Sequence, residues 1–180
     1  MPASLLWVAG VPAQTEPKMI REGGNWVRVI SGSMPMPSGG RLRLKTDGNV
    51  ILKGDSGRNI VWTLKTRIQA SGANQAAALL RESGPRLRMQ GDALVLTVSA
   101  ARPEVIGQDL TLSIPATLQH ALIETLGGNL QITDYAGDVQ AQTAAGVITL
   151  PTPWRRSSIS SRRMRRIRAF RRHSWYTPNS

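Results

Sequence analysis

The 180 residues predict an all-β protein: a β-solenoid, or single-stranded β-helix-like stack of short strands, with one short helix near 75–82. Three observations carry that expectation. Apolar residues alternate with period 2 in several short segments, which puts them on one face of a strand. Turn-forming residues punctuate these segments: 17 Gly and 11 Pro, against only 5 Trp, 2 Tyr and 1 Phe. The third is self-similarity. Thr125-Leu-Gly-Gly-Asn-Leu-Gln-Ile132 returns 18 residues later as Thr143-Ala-Ala-Gly-Val-Ile-Thr-Leu150, so that Gly128 falls on Gly146, Leu130 on Ile148 and Ile132 on Leu150. A fixed period of this kind marks stacked repeats.

The N-terminus has two readings. Leu5 to Val11 is a short apolar stretch, and Val11-Pro-Ala13 ahead of Gln14 fits a small-residue cleavage site, so residues 1–13 read as a truncated signal peptide. No Lys or Arg precedes the stretch, and a buried first strand fits equally well. Residues 14–24 are polar and end in Gly23-Gly24, the composition of a linker. The folded domain is expected over 25–150.

Within that domain, alternation begins at Trp26, continues to Ile30 and is expected to break at Ser31-Gly-Ser33. Met34 to Gly40 holds two prolines, which donate no ladder hydrogen bond, and reads as a loop. Arg41 to Lys45 turns Leu42 and Leu44 to one face. Thr46 to Asn49 is a turn in which Gly48 offers φ > 0. Val50 to Leu52 follows, then a turn at Gly54 to Gly57, and then a longer strand from Asn59 to Ile68 with Ile60, Trp62 and Leu64 inward.

Asn74 to Glu82 breaks the pattern. Asn74 can cap a helix, Gln75 to Glu82 is rich in helix formers, and Gly84-Pro85 stops it. About two turns are marginal alone, so Leu79 and Leu80 are expected to dock the helix on the sheet. Strands resume at Arg86–Met89, turn at Gly91-Asp92, and continue as Leu94–Val98 and Asp109–Ile114, which Pro115 ends. In the repeat itself Leu130, Ile132, Val139, Ala141, Val147 or Ile148, and Leu150 point inward. One such layer buries three or four side chains at roughly 1.5–3 kcal/mol each. Ordering costs about 1–2 kcal/mol per residue, so a layer must stack on a neighbour about 4.8 Å away.

These motifs taken in order resemble a known family. The Ala-Ala-Ala-Leu-Leu helix is followed by a Gly-Asp-x-Leu strand and by Asp109-Leu-Thr-Leu-Ser-Ile-Pro115. Then come Ile123-Glu-Thr-x-Gly-Gly-Asn-Leu-x-Ile132, Ala136-Gly-Asp-Val139 and Thr143-x-x-Gly-x-Ile-x-Leu150. Over about residues 25–150 this is similar to the bacterial putative-adhesin domains of unknown function, also called toast-rack domains. The resemblance implies a β-solenoid outside the cytoplasmic membrane, associated with surface attachment or envelope-stress sensing, with no enzymatic activity implied. Members usually add further layers, whereas here the pattern stops at Leu150.

Charge is unevenly spread. The chain carries +12, but residues 1–153 hold 14 Lys/Arg against 11 Asp/Glu, and residues 154–180 hold 9 Arg and no acid. The high isoelectric point therefore belongs to the segment 151–180 and does not make the whole chain a nucleic-acid binder. That Arg/Ser-rich segment includes Trp154, Phe170, Trp175 and Tyr176. It reads as a shifted reading frame, as a solvated disordered tail, or as a non-specific binder of anionic lipid or nucleic acid, with Met164, Ile167 and Phe170 on one helical face. No specific nucleic acid is expected as partner.

Candidate chemistry is thin. With no Cys, disulfides and thiolate zinc sites are excluded. Gly54-Asp-Ser-Gly57 has the letters of a serine-protease nucleophile motif. Ser56 would need a histidine base and an orienting carboxylate, and the only histidines are His120 and His173. A tight turn explains the motif without chemistry. Asp134 and Asp138 flank Tyr135 at a corner, where solenoid enzymes place acid/base carboxylates or calcium ligands, although Asp is ordinary in turns. No catalytic, cofactor-binding or metal residue is assigned, and no cofactor is expected. The expected function is a non-enzymatic, extracytoplasmic (periplasmic, cell-surface or secreted) adhesin-like domain that meets a surface ligand or an envelope protein. The alternative is a cell-envelope stress-sensing domain acting through a protein partner. A carbohydrate-active solenoid enzyme ranks third.

Overall fold

Every alternating segment of the sequence becomes a strand. In the computed structural model, which describes residues 13–14, 18–100 and 102–150, the elements are β1 (Ala13–Gln14), β2 (Lys18–Glu22), β3 (Asn25–Pro35), β4 (Arg41–Thr46), β5 (Asn49–Asp55), β6 (Asn59–Ile68), α1 (Ala73–Glu82), β7 (Arg86–Gln90), β8 (Ala93–Val98), β9 (Val105–Pro115), β10 (His120–Thr125), β11 (Leu130–Thr133), β12 (Asp138–Thr143) and β13 (Ile148–Thr149). The first sheet has the order β1-β3-β6-β9-β5-β11-β13, with β2 also on β3, and the second has the order β12-β10-β4-β8-β7. The expectation of an all-β protein with one short helix holds. The residues expected to form a signal peptide (1–13, apart from Ala13) and the segment 151–180, with His173, lie outside the described residues.

Four strand pairs build the centre. β4 leads into β5, β8 into β9, β10 into β11 and β12 into β13, each crossing from the second sheet to the first. In both sheets they stack in parallel and in the same spatial order: β8–β9, β4–β5, β10–β11, β12–β13. The 18-residue period sets the register, since Thr125 lies opposite Thr143 and Leu130 opposite Ile148. Like side chains therefore pile into columns. Leu96, Leu44, Ile123 and Ala141 form one column in the second sheet, and Leu112, Leu52 and Ile132 form one in the first. All of these are buried, and together with Ile60, Trp62 and Leu64 they fill the space between the sheets. Val147 is exposed at 64% while Ile148 packs against the core, so Ile148 is the inward residue of that pair.

Two features depart from a continuous single-stranded coil. The sheets are mixed: β6 runs antiparallel to both β9 and β3, and β7 forms an antiparallel hairpin with β8. The chain also does not pass through the stack in sequence order, because β4–β5 sits between β8–β9 and β10–β11. Short connections join antiparallel neighbours readily, whereas a parallel neighbour requires a long crossover. The residues between β5 and β8 make that crossover and contribute β6, α1 and β7 on the way.

Local expectations are corrected at four places. The stretch read as a linker contains β2, which pairs with β3 around the Gly23-Gly24 turn. The break expected at Ser31 to Ser33 is absent. β3 continues to Pro35 because β6 is long enough to pair with all of it, and the Ser31 and Thr63 hydroxyls are hydrogen-bonded at 2.9 Å across that ladder. The helix is capped by Gly72 with no side-chain cap bond, which leaves Asn74 inside the helix. Instead, the Ser71 backbone N–H and hydroxyl both donate to Gln75 Oε1 at 3.1 and 2.8 Å. Ala76 and Leu80 are the buried helix residues, with Leu79 half-buried, and α1 packs on β3 and β6. Finally, Gly48 has no positive φ. Its backbone is instead so close to Gln108 that a Cβ there would meet the Gln108 carbonyl oxygen.

That last correction extends along the corner. A Cβ on Gly128 would strike the Gly48 carbonyl, and one on Gly146 would strike the Gly128 carbonyl. Threonines clamp the same column: Thr125 Oγ1 donates to the Gly48 carbonyl at 2.8 Å and Thr143 Oγ1 to the Gly128 carbonyl at 3.1 Å. Beside them runs a polar ladder. Asn49 Nδ2 donates to Asp109 Oδ1 at 2.8 Å, the Asn129 N–H to Asn49 Oδ1 at 2.9 Å, and the Val147 N–H to Asn129 Oδ1 at 2.9 Å. Among the described residues no helix is long and apolar enough to cross a membrane.

Candidate functional site

The residues weighed for catalysis sit apart or are occupied. Ser56 lies in the exposed bend between β5 and β6, and no hydrogen bond joins it to a histidine among the described residues. Its neighbour Asp55 accepts a bond from Ser113 Oγ at 3.3 Å. A tight turn accounts for Gly54 to Gly57, and Gly54 is required there because Asp134 passes directly over it.

The same side of the stack brings His120 and Asp138 together. They are register partners in β10 and β12, and Nδ1 lies 3.4 Å from Oδ2, with both side chains about half exposed. Sequence reasoning considered the two residues separately, although 120 and 138 differ by the repeat period that pairs Thr125 with Thr143. Asp134 is exposed and holds a left-handed backbone, φ 55. Tyr135 between the two aspartates is buried at 4% exposure, and its hydroxyl donates to the Leu118 carbonyl at 2.8 Å. Burial, with a lesser contribution from the Asp138 charge, pushes its phenol up to about 12. It is a corner post with no access to a substrate. Burial also holds the Arg28 guanidinium below its ordinary value, and its Nε lacks a hydrogen-bond partner among the described residues. No group of three or more His, Asp or Glu positioned to hold a metal ion is found among the described residues.

Cavities offer little more. A shallow depression of about 360 Å³ lies on the outer face of the first sheet, over Asn49, Asp109, Asn129 and Val147. The side chains of Asn49, Asp109 and Asn129 are already bonded in the ladder described above, and Thr111, Gln131 and Thr149 complete the polar lining. The extended features are the two outer faces. On the first sheet, two cations meet acids, Lys65 with Glu22 at 3.0 Å and Arg67 with Asp109 at 2.7 Å, while exposed Lys53 has no ion-pair partner among the described residues. On the second sheet, register places Arg86 and Arg88 of β7 beside Thr97 and Val95 of β8, which lie beside Lys45 and Arg43 of β4. Arg41 completes the β4 row and is paired at 3.2 Å with Asp92. All five cationic side chains are exposed, because the alternate positions Leu42, Leu44, Leu94 and Leu96 face the core.

No family model matches the sequence, and no curated protein matches it. The fold is similar to a putative cell adhesion protein from Clostridium sporogenes ATCC 15579, with a TM-score of 0.42 and 10% identity over 78% of this chain and 61% of that one. It is also similar to a putative adhesin from Bacteroides fragilis NCTC 9343, with a TM-score of 0.38 and 13% identity over 68% and 58%. A putative lipid binding protein from Parabacteroides distasonis ATCC 8503 gives 0.34 and 8% over 71% and 60%. The match spans less than two thirds of each of those chains. Toast-rack membership, expected from the glycine-strand motifs, is not among the likenesses found.

Proposed function

We propose that this chain is a non-enzymatic, extracytoplasmic surface-interaction module of the adhesin-like kind, whose four strand pairs act as a short solenoid-like stack. The observation that supports it is the in-register piling of β8–β9, β4–β5, β10–β11 and β12–β13, which spreads polar side chains over two broad outer faces. Such faces bind through extended contact, whereas catalysis requires groups converging on one reacting atom. The motif resemblance to toast-rack domains points the same way. The partner on this reading is a surface ligand or an envelope protein.

Cell fractionation with a deletion strain tests it. The module is expected in the envelope or secreted fraction, and its deletion is expected to lower attachment to a surface. Recovery in the cytoplasm would overturn the reading. Unchanged attachment with an altered envelope-stress response would replace it with the sensing role. Sugar release from a polysaccharide, lost in Asp134→Ala or Asp138→Ala, would replace it with an enzyme.

A further inference from the structure

We infer that the outer face of the second sheet, at Arg41, Arg43, Lys45, Arg86 and Arg88, is a binding surface for an anionic polysaccharide. Charge is the first argument. Residues 1–153 carry only three more cations than acids, yet five exposed cations are gathered on β4 and β7 with no acid on β7, β8 or β4 themselves. The acids nearby are Asp92 in the β7–β8 turn, Glu124 opposite Lys45, and Asp138 beyond His120. Among the described residues Arg43, Lys45, Arg86 and Arg88 have no ion-pair partner within 4.0 Å, in contrast to Lys65 and Arg67 on the other sheet.

Spacing is the second argument. Alternate residues along a strand lie about 6.8 Å apart, and β7 lies two strands from β4, about 9.6 Å away. The cations therefore form a regular two-row grid with Ala93, Val95 and Thr97 along its floor. A linear polymer with repeating carboxylate or sulfate groups matches a grid of this kind, and each neutralised contact releases counterions. The face also lacks aromatic side chains. The described aromatics Trp26, Trp62 and Tyr135 lie elsewhere, so nothing on the face stacks on bases as single-strand nucleic-acid binders do. Its apolar members Ala93, Val95 and Leu122 are half-buried, leaving no side chain to enter a bilayer. A second copy of this chain, at net +12, and the segment 154–180, with nine Arg and no acid, carry charge of the same sign as the face. The choice of a polysaccharide over other polyanions rests on the extracytoplasmic reading above.

The test uses the full chain, so that the Arg-rich 154–180 segment is the same in every sample. Arg43→Gln, Arg86→Gln and Arg88→Gln are combined in one variant. Lys53→Gln, Arg58→Gln and Arg81→Gln are combined in a second that loses the same net charge elsewhere. Binding to heparin and to polygalacturonate is measured across a salt series. The first variant is expected to bind at least about tenfold more weakly near 0.15 M salt, with the log–log salt slope lower by about 2; the second is expected to change by less than about twofold. Equal losses in both variants, or a loss in neither, would overturn the assignment. So would tighter, face-dependent binding to single-stranded DNA or to phosphatidylglycerol vesicles. Should the triple variant unfold, Arg43→Gln and Arg88→Gln singly are expected to weaken binding about two- to threefold each. A protein that reaches the envelope but binds these polymers indifferently to the face would sink this proposal and leave the surface-interaction reading standing.

Discussion

Glycine serves two different ends in the two halves of this molecule. In the parallel stack, Gly48, Gly128 and Gly146 have no positive φ, and each lacks room for a Cβ because the neighbouring layer's carbonyl occupies the space. In the antiparallel part the situation is reversed. Gly91, in the β7–β8 hairpin, has φ 63, and the space where a Cβ would stand is open, with nothing within 4 Å. The hairpin needs glycine for its own dihedral, a local and forgiving requirement. The corner needs glycine because layers about 4.8 Å apart bring one backbone against the next. Stacking is therefore built into the corner residues as well as into the apolar columns.

The largest expected effect follows from that difference. Gly128→Ala drives a Cβ into the Gly48–Asn49 backbone of the adjoining layer and is expected to cost about 4 kcal/mol, read as a fall in the urea midpoint. A cost below about 1 kcal/mol would show that the corner relaxes freely. Next come the columns. Leu44→Ala, fully buried between β8 and β10, is expected to cost about 3 kcal/mol. Ile148→Ala, half-buried in the outermost described pair, is expected to cost about 1–2 kcal/mol. Equal losses would remove the gradient from the centre of the stack to its end.

Smaller effects separate the corners. In the folded chain Tyr135 holds its proton up to about 12, while an unfolded tyrosine ionises near 10. Between those values the unfolded state loses protons first, so raising the pH favours unfolding. Stability is expected to be flat below about pH 9 and to fall by about 1–2 kcal/mol between pH 10 and 12. Tyr135→Phe is expected to lose about 1 kcal/mol at neutral pH, from the missing bond to the Leu118 carbonyl, and to flatten that alkaline fall. Smallest is the hairpin pair. Gly91→Ala is expected to cost about 1 kcal/mol and Gly91→Asn only a few tenths, because Asn tolerates the left-handed region.

Much of this architecture was legible in the sequence, for physical reasons. Leu42, Leu44, Ile60, Trp62, Leu94 and Leu96 alternate because each strand has one dry face. The Thr125/Thr143 and Leu130/Ile148 matches were visible because those residues are direct register partners. The order of the layers was not legible. Thr46-Asp-Gly-Asn-Val50 has the same Thr, Gly-Asn and apolar sequence as Thr125 to Leu130, but one residue shorter, so a fixed-length comparison passes over it. Nor does alternation say which strands adjoin. The cationic grid therefore needed the β7–β8–β4 pairing before its charges could be seen as one surface. The His120–Asp138 contact was within reach of the period itself.

Because the chain contains no cysteine, the stacking can be tested by cross-linking. Leu122 and Gln140 are register partners on the outer face of β10 and β12, and the spacing of neighbouring strands, about 4.8 Å, falls within the Cα separation of about 4.4–6.8 Å that a disulfide spans. Leu122→Cys with Gln140→Cys is expected to form an intramolecular disulfide under mild oxidation, whereas Leu122→Cys with Gln142→Cys, offset by two residues, is not. A disulfide in the offset pair alone, or equal bonding in both, would contradict the parallel 18-residue register on which the stack depends.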